Sequence, residues 1–314
     1  MRIFFLGTPD FSVPSLRSLA ASKQHKICGV ITNPDQPSGR QLKLKPPPVK
    51  TAALELGIPV YQPEKFNTAE TLEIMRSSGA ELLAVVAYGK IIGDAMLAAF
   101  KDKIINVHPS LLPKYRGVAP YQWALVNGET VTGVSIIYLV KQLDAGDIIL
   151  QKRIDIKETD NAEMLHDSLS LIGAELLCEA AGLIEAGKAE RRPQLESDAT
   201  YFKKIEKSMG KIDWNLSAKK ISDLVRGLYS WPCAFTAIGS DTVKIHEAAV
   251  AREYFGHGMP PGSVIIADEK KGLVIACGGN EALKIKTLQL ASRNMQSCDS
   301  FLRGYKINGS ITLN

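Results

Sequence analysis

Cysteine, glycine-rich phosphate loops, long apolar runs and a dominant charge are all scarce in this chain of 314 residues. The five cysteines, Cys28, Cys178, Cys233, Cys277 and Cys298, are scattered, with no Cys-x-x-Cys pair and no histidine at metal-ligand spacing. Such a set argues against a disulfide framework or a metal site and fits buried thiols in the reducing cytoplasm. The apolar runs, typified by Leu82–Ala87, fall far short of the roughly 18–20 residues that cross a membrane. The opening segment Met1–Gly7 runs directly into Pro9 and Asp10 and is too short for a secretory signal. We therefore expect neither a membrane nor a secreted protein. The loop after the first apolar run carries only Gly7 of the three glycines a dinucleotide fold needs there, and no Gly-x-x-x-x-Gly-Lys-Ser/Thr occurs. Nicotinamide dehydrogenases and nucleoside triphosphatases of that type are disfavoured. With 38 Lys and Arg against 33 Asp and Glu, the net charge of +5 permits a polyanionic partner without demanding one.

What is present is an ordinary globular balance, 45% hydrophobic and 23% charged, over a length that suggests two domains. Apolar runs at 2–7, 26–32, 81–87 and 103–107 alternate with helix-compatible spacing at 13–22, 49–56, 68–77 and 94–100. That is the pattern of an α/β, doubly wound, mostly parallel sheet, whose ligands bind beyond the carboxyl ends of its strands. After residue 130 come strands at 131–140 and 147–154 joined by the turn-rich 142–146, then an amphipathic helix over 161–187. Residues 188–202 are polar and weakly periodic and read as a linker. A helix near 217–228 precedes short strands at 233–239, 242–249, 262–267, 272–277 and 282–290, the spacing of a small antiparallel β-barrel. The expected organisation is an α/β domain over 1–187, a linker over 188–202 and a barrel domain over 203–314. Charge divides along the same line: 203–314 holds 16 Lys and Arg against 10 Asp and Glu, while 1–202 holds 22 against 23. A basic half of this kind is either a solvated surface or a face that tracks phosphates.

Three constellations bear on chemistry. Asn106 and His108 end the apolar run 103–107, and at i and i+2 of an extended segment they share one face. An amide donor beside an imidazole suits charge developing on a carbonyl oxygen, although a capped strand end with a backbone-satisfied His has the same pattern. His25, His166, His246 and His257 lie in surroundings that read as structural or solvated. Asp144, in the turn Leu143-Asp144-Ala145-Gly146-Asp147, is the best-placed carboxylate partner, with Asp147 as a strand-opening competitor. A turn-forming Asp bonded to its own backbone reads the same way. Residues 33–50 hold five prolines and Gly39, which excludes a helix or central strand, and Arg40, Lys43, Lys45 and Lys50 outweigh Asp35. The segment is a lid or phosphate-seeking arm, or a solvated excursion.

Further motifs accompany these: Gly7-Thr8-Pro9-Asp10-Phe11, Pro34–Arg40 with Pro48-Val49-Lys50, Ala87-Tyr88-Gly89, and Ser110-Leu111-Leu112-Pro113. Arg116-Gly117, Ala119-Pro120, Gln122, Ile212-Asp213-Trp214 and Trp231-Pro232 complete the set. Together they resemble the formyltetrahydrofolate-dependent transferases over almost the whole chain, and within them the branch acting on initiator tRNA. The chain departs from that pattern at Gln41-Leu42 after Arg40 and at Ser230 before Trp231. The resemblance implies an enzyme with an oligonucleotide-binding (OB-like) second domain that moves a formyl group from 10-formyltetrahydrofolate, its co-substrate, to the α-amine of methionine on initiator tRNA. It implies Asn106, His108 and Asp144 as the catalytic set and Ala87, Tyr88, Gly89, Ser110, Leu111, Leu112 and Pro113 around the folate. It implies tRNA contacts from Arg40, Lys43, Lys45, Lys50, Lys203, Lys204 and Lys207, and no metal. No covalent nucleophile is required, so Ser110 is expected to be a loop residue. The competing readings are a formyltransferase acting on a nucleotide-linked amino sugar and a non-catalytic tRNA-binding module on the same fold. A glycinamide ribonucleotide formyltransferase is expected to stop near the end of the α/β domain. No exposed apolar helix stripe stands out, which leads to the expectation of a monomer.

Overall fold

The apolar runs of the first half become neighbouring strands of one sheet in a computed structural model that describes residues 1–38, 43–291 and 293–307. Two compact units emerge. The first comprises Met1–Gly117, Thr132–Ile154 and His166–Phe202; the second comprises Val118–Val131, Asp155–Leu165 and Lys203–Asn314. The chain thus enters the second unit twice before residue 203, and residues 188–202, read from sequence as a linker, lie within the first unit.

In the first unit the strand order is Ile148–Asp155, Val131–Tyr138, Ile104–His108, Leu82–Val86, Arg2–Gly7, Lys26–Ile31, Val60–Tyr61. The pairings from Val60–Tyr61 across to Ile104–His108 are parallel, and Val131–Tyr138 runs antiparallel to Ile104–His108. Every residue of Leu82–Val86 is buried, as a strand covered on both faces must be. Each such Val or Leu contributes about 1.5–3 kcal/mol by leaving water. The order reverses direction beside Arg2–Gly7, so the loops after Gly7 and after Val86 open the crevice where an α/β sheet binds ligands. Helix starts follow local chemistry. Pro48 begins Pro48–Glu55 with no amide to leave unpaired, and Thr68 caps Ala69–Ser77 by accepting the Thr71 N–H at 3.2 Å. The 24-residue helix Ala162–Glu185 packs closely on the sheet at Gly173, where a Cβ would meet Val107 at 2.8 Å.

The proline-rich 33–50 segment is, where described, a hairpin of Gln36–Ser38 against Lys43–Lys45, separate from the main sheet. Short helices at Pro120–Val126 and Cys298–Gly304 have no counterpart in the sequence expectations, being shorter than two or three turns of clear periodicity.

In the second unit an antiparallel sheet runs Ala234–Ile238, Asp241–Val250, Glu281–Leu290, Gly272–Cys277, Val264–Asp268, with Gln296–Ser297 on Glu281–Leu290. Helix Ala218–Gly227, capped by Ser217, buries Ala218, Ile221 and Val225 in a core with Val243, Ile275 and Leu283. All five cysteines are free thiols, and burial pushes Cys277 up to about 12 and Cys298 up to about 11.

Candidate active site

His108 is the last residue of Ile104–His108, with Asn106 two residues before it on the same face. Asn106 sits opposite Val85 and Ile137, and His108 opposite Ser135. The buried His108 ring donates Nε2–H to the Tyr115 carbonyl at 2.8 Å, because a carbonyl can only accept. Nδ1 is thereby turned toward Asp144 Oδ2 at 3.7 Å, within ion-pair range and beyond a hydrogen bond. The same Oδ2 accepts the Gly117 amide at 2.8 Å. The three residues singled out from sequence are thus gathered at the carboxyl end of one strand, and the ring is oriented by Tyr115 as well as faced by Asp144. Asp147 is engaged elsewhere, bonded to Arg191 Nε at 2.9 Å.

Tight loops hold this arrangement. Ala87, Tyr115 and Asp144 have left-handed backbones, with φ of 46°, 63° and 49°. Each costs about 1–2 kcal/mol in an L-residue, so neighbouring bonds must over-determine it. Gly146 is required by close approach: a Cβ there would stand 1.7 Å from the Tyr138 carbonyl oxygen. Ser135 Oγ donates to the Ser110 carbonyl at 2.6 Å and accepts the Leu112 amide at 3.1 Å, while Gln151 Nε2 donates to the Leu112 carbonyl at 2.9 Å. Ser110 Oγ is buried and donates to the Lys114 carbonyl at 2.8 Å, a staple of the 110–114 loop. Leu112 packs with Ile137 and Ile148, and Leu111 and Pro113 are half-buried.

The expected folate residues divide by what they expose. Ala87 and Gly89 are exposed, whereas the Tyr88 ring turns into the core against Phe66, and burial pushes its phenol up. Tyr88 contributes its carbonyl to the loops, accepting from Thr8 Oγ1 at 3.1 Å and Asn33 Nδ2 at 3.2 Å. Ile91 is 85% exposed and Leu143 58%, and an Asp94–Lys141 ion pair of 2.8 Å ties their two loops together. A cavity of about 770 Å³, lined by Thr8, Asn33, Gln36, Lys45, Glu64 and Gly89, lies within the same unit.

Of the basic residues, Arg40 lies outside the described residues. Lys43 and Lys45 are exposed on the hairpin, and Lys203, Lys204 and Lys207 are exposed in the second unit. Lys50 is half-buried, and its ammonium bonds both Asp35 oxygens at 2.8 Å. Hydrogen bonds from Lys50 and Gln62 hold the Asp35 carboxyl below its usual range. The other histidines make structural contacts: His25 faces Glu185 at 3.5 Å, His166 bonds Asp167, His246 bonds Gln289 and His257 bonds the Glu281 carbonyl. Sequence reasoning missed the role of Gln194, Glu196, Thr200 and Tyr201, whose bonds reach the 113–117 and 144–146 loops. The one signal was the aromatic pair Tyr201-Phe202 closing an otherwise polar stretch. Among the described residues no group of three or more His, Cys, Asp or Glu is placed to hold a metal ion, and no helix is long and apolar enough to cross a membrane.

Comparisons with known proteins bear on the family and the fold. Residues 1–181 match the formyl transferase family and residues 204–306 match the formyl transferase C-terminal domain. The chain is 44% identical over 308 residues to a methionyl-tRNA formyltransferase of Sulfurihydrogenibium sp. (strain YO3AOP1), covering 98% of each. It is 41% identical over 303 residues to the Staphylococcus aureus (strain MW2) protein of the same name, covering 96% of each. In fold it is similar to a sugar 3N-formyl transferase solved with dTDP and 5-N-formyl-THF, at a TM-score of 0.69 and 20% identity, covering 94% of this chain and 99% of that one. A glycinamide ribonucleotide transformylase from Symbiobacterium toebii matches with a TM-score of 0.52 and 23% identity, covering 62% of this chain and 93% of that one.

Proposed function

The chain belongs to the formyl transferase family, and on that premise we propose that it transfers the formyl group of 10-formyltetrahydrofolate to the α-amine of methionine on initiator tRNA, with Asn106, His108 and Asp144 as its catalytic residues. The observation that carries the reading is the 44% identity over 98% of both chains, because it includes the basic second unit as well as the site. The likeness to the sugar enzyme, at 20% identity, speaks for the fold alone.

Asn106 supplies an amide donor for the formyl oxygen as the amine's lone pair adds to the formyl carbon and charge gathers on that oxygen. His108 Nε2 is committed to Tyr115, which leaves Asn106 as the side-chain donor of the set. Asp144, anchored by the Gly117 amide, accepts the proton that the amine releases, directly or through water; His108 Nδ1 stands beside it. The bond from the formyl carbon to the folate nitrogen then breaks, and that nitrogen keeps the electron pair and is protonated. Ala87–Gly89 and Ser110–Pro113 would line the donor's site, with the exposed Ile91 and Leu143 covering its ring. We assign residues 1–187 to formyl transfer and 203–314 to the tRNA, with Lys43, Lys45, Lys203, Lys204 and Lys207 exposed for its phosphates. We further propose a cytoplasmic monomer, in keeping with five free thiols. Mixed with 10-formyltetrahydrofolate and methionyl-initiator tRNA, the protein should yield formylmethionyl-tRNA. Asn106→Ala and Asp144→Asn should each lower kcat by about 100-fold or more with the fold retained, the usual cost of an oxyanion donor or general base. Wild-type turnover in either variant removes that residue from the mechanism.

A further inference from the structure

The turn that carries Asp144 has a left-handed backbone at Asp144 itself, so its carboxylate reaches the site only if the turn is held there. One side chain does so. Gln194 Nε2 donates both its hydrogens to this turn, to the Asp144 carbonyl at 2.7 Å and the Gly146 carbonyl at 2.8 Å. Its Oε1 accepts Arg116 Nε–H at 3.1 Å, so all of the amide's groups point one way. A flipped amide would set oxygen against two carbonyls and nitrogen against a guanidinium, and the arginine therefore selects the orientation.

Arg116 cannot easily give way. It is wholly buried, with Nη1 bonded to Glu196 at 2.8 Å and to the Tyr201 hydroxyl. A desolvated guanidinium that loses a partner is costly, so its geometry is stiff. The same stretch of chain also reaches His108. Thr200 accepts the Arg116 amide at 2.8 Å through its carbonyl and the Tyr115 amide at 2.9 Å through Oγ1. Phe202 stacks on the Tyr115 ring with centroids 4.8 Å apart, and it is the Tyr115 carbonyl that receives His108 Nε2–H. Arg192 adds a bridge to Ile148, just beyond the Asp144 turn.

We propose that Gln194 is a positioning residue for Asp144, oriented by Arg116, and that residues 191–202 form a strap setting the spacing between Asp144 and His108. The proposal rests on the functional reading above, in which Asp144 accepts the proton. The Gln194 amide is engaged by Arg116, Asp144 and Gly146, so its loss should appear in the chemical step.

The test is a double-mutant cycle on the full-length protein under steady-state conditions, with 10-formyltetrahydrofolate and methionyl-initiator tRNA each varied in turn. Gln194→Ala should lower kcat by about 10–100-fold, the scale of a misplaced catalytic group, with KM for both substrates unchanged. In the Asp144→Asn background the same substitution should add no further loss, because the group it positions is already disabled. Gln194→Glu, which sets a carboxylate against two carbonyls, should be at least as slow as Gln194→Ala. Gln194→Met keeps the side-chain volume and reads the same cycle if alanine lowers the melting temperature. Wild-type kcat in Gln194→Ala, a change confined to KM, or an equal loss in the Asp144→Asn background each overturns the proposal. A wild-type protein that leaves methionyl-tRNA unformylated overturns the functional reading beneath it instead.

Discussion

His246 shows how a single side chain ties the second unit to pH. It is half-buried, bonded to Gln289 at 3.2 Å and edge-on to Tyr229, and burial holds its pKa below the ordinary 6.5. The unfolded chain therefore binds a proton more readily than the folded one, so stability should fall as pH drops below about 6.5. Burial shifts His25 in the same direction, so His246→Gln should remove part of this acid sensitivity while His25 retains the rest. Denaturant unfolding at pH 7.5 and pH 5.5 checks this: a stability difference as large in His246→Gln as in the wild type contradicts it. At the site itself, Asn106 and His108 were legible because period-two alternation at a strand end needs no partner to be known. Gln194 was not, since its bonds to Asp144 and Arg116 cross 50 and 78 residues of sequence and nothing in a polar stretch signals them.

Among the elements, the buried parallel strands were the easiest to read, because burial on both faces leaves a continuous apolar run such as Leu82–Val86. The hairpin Gln36–Ser38 with Lys43–Lys45 was hidden by strands of three residues, one of them containing Pro37. The register sets Pro37 opposite Leu44 and leaves Lys43 and Lys45 exposed. Exposed lysines that meet phosphate lower the free energy of encounter without touching the reacting atoms. Lys43→Ala with Lys45→Ala should therefore raise KM for methionyl-tRNA several-fold, by an amount that shrinks with added salt, and leave KM for the folate and kcat unchanged. Steady-state kinetics with each substrate varied in turn decides it; a rise in the folate KM contradicts the assignment.

For the molecule as a whole, the net charge of +5 concealed its own distribution. Residues 203–314 carry 16 Lys and Arg against 10 Asp and Glu and build an antiparallel sheet with its own core, while the site residues Asn106, His108 and Asp144 all belong to the other, α/β unit. Length suggested two domains, yet the chain's return to the second unit at 118–131 and 155–165 could not be read from composition, which averages over such exchanges. Chemistry in one unit and a surplus of cations in the other fit an acceptor that is a small amine carried on a large polyanion. The decisive measurement offers the protein isotopically labelled 10-formyltetrahydrofolate with methionyl-initiator tRNA, a nucleotide-linked amino sugar and glycinamide ribonucleotide in one reaction, and follows where the formyl label goes. The account predicts label on the tRNA-borne methionine and on neither competitor. Label on the amino sugar or on glycinamide ribonucleotide in preference to the tRNA would contradict it.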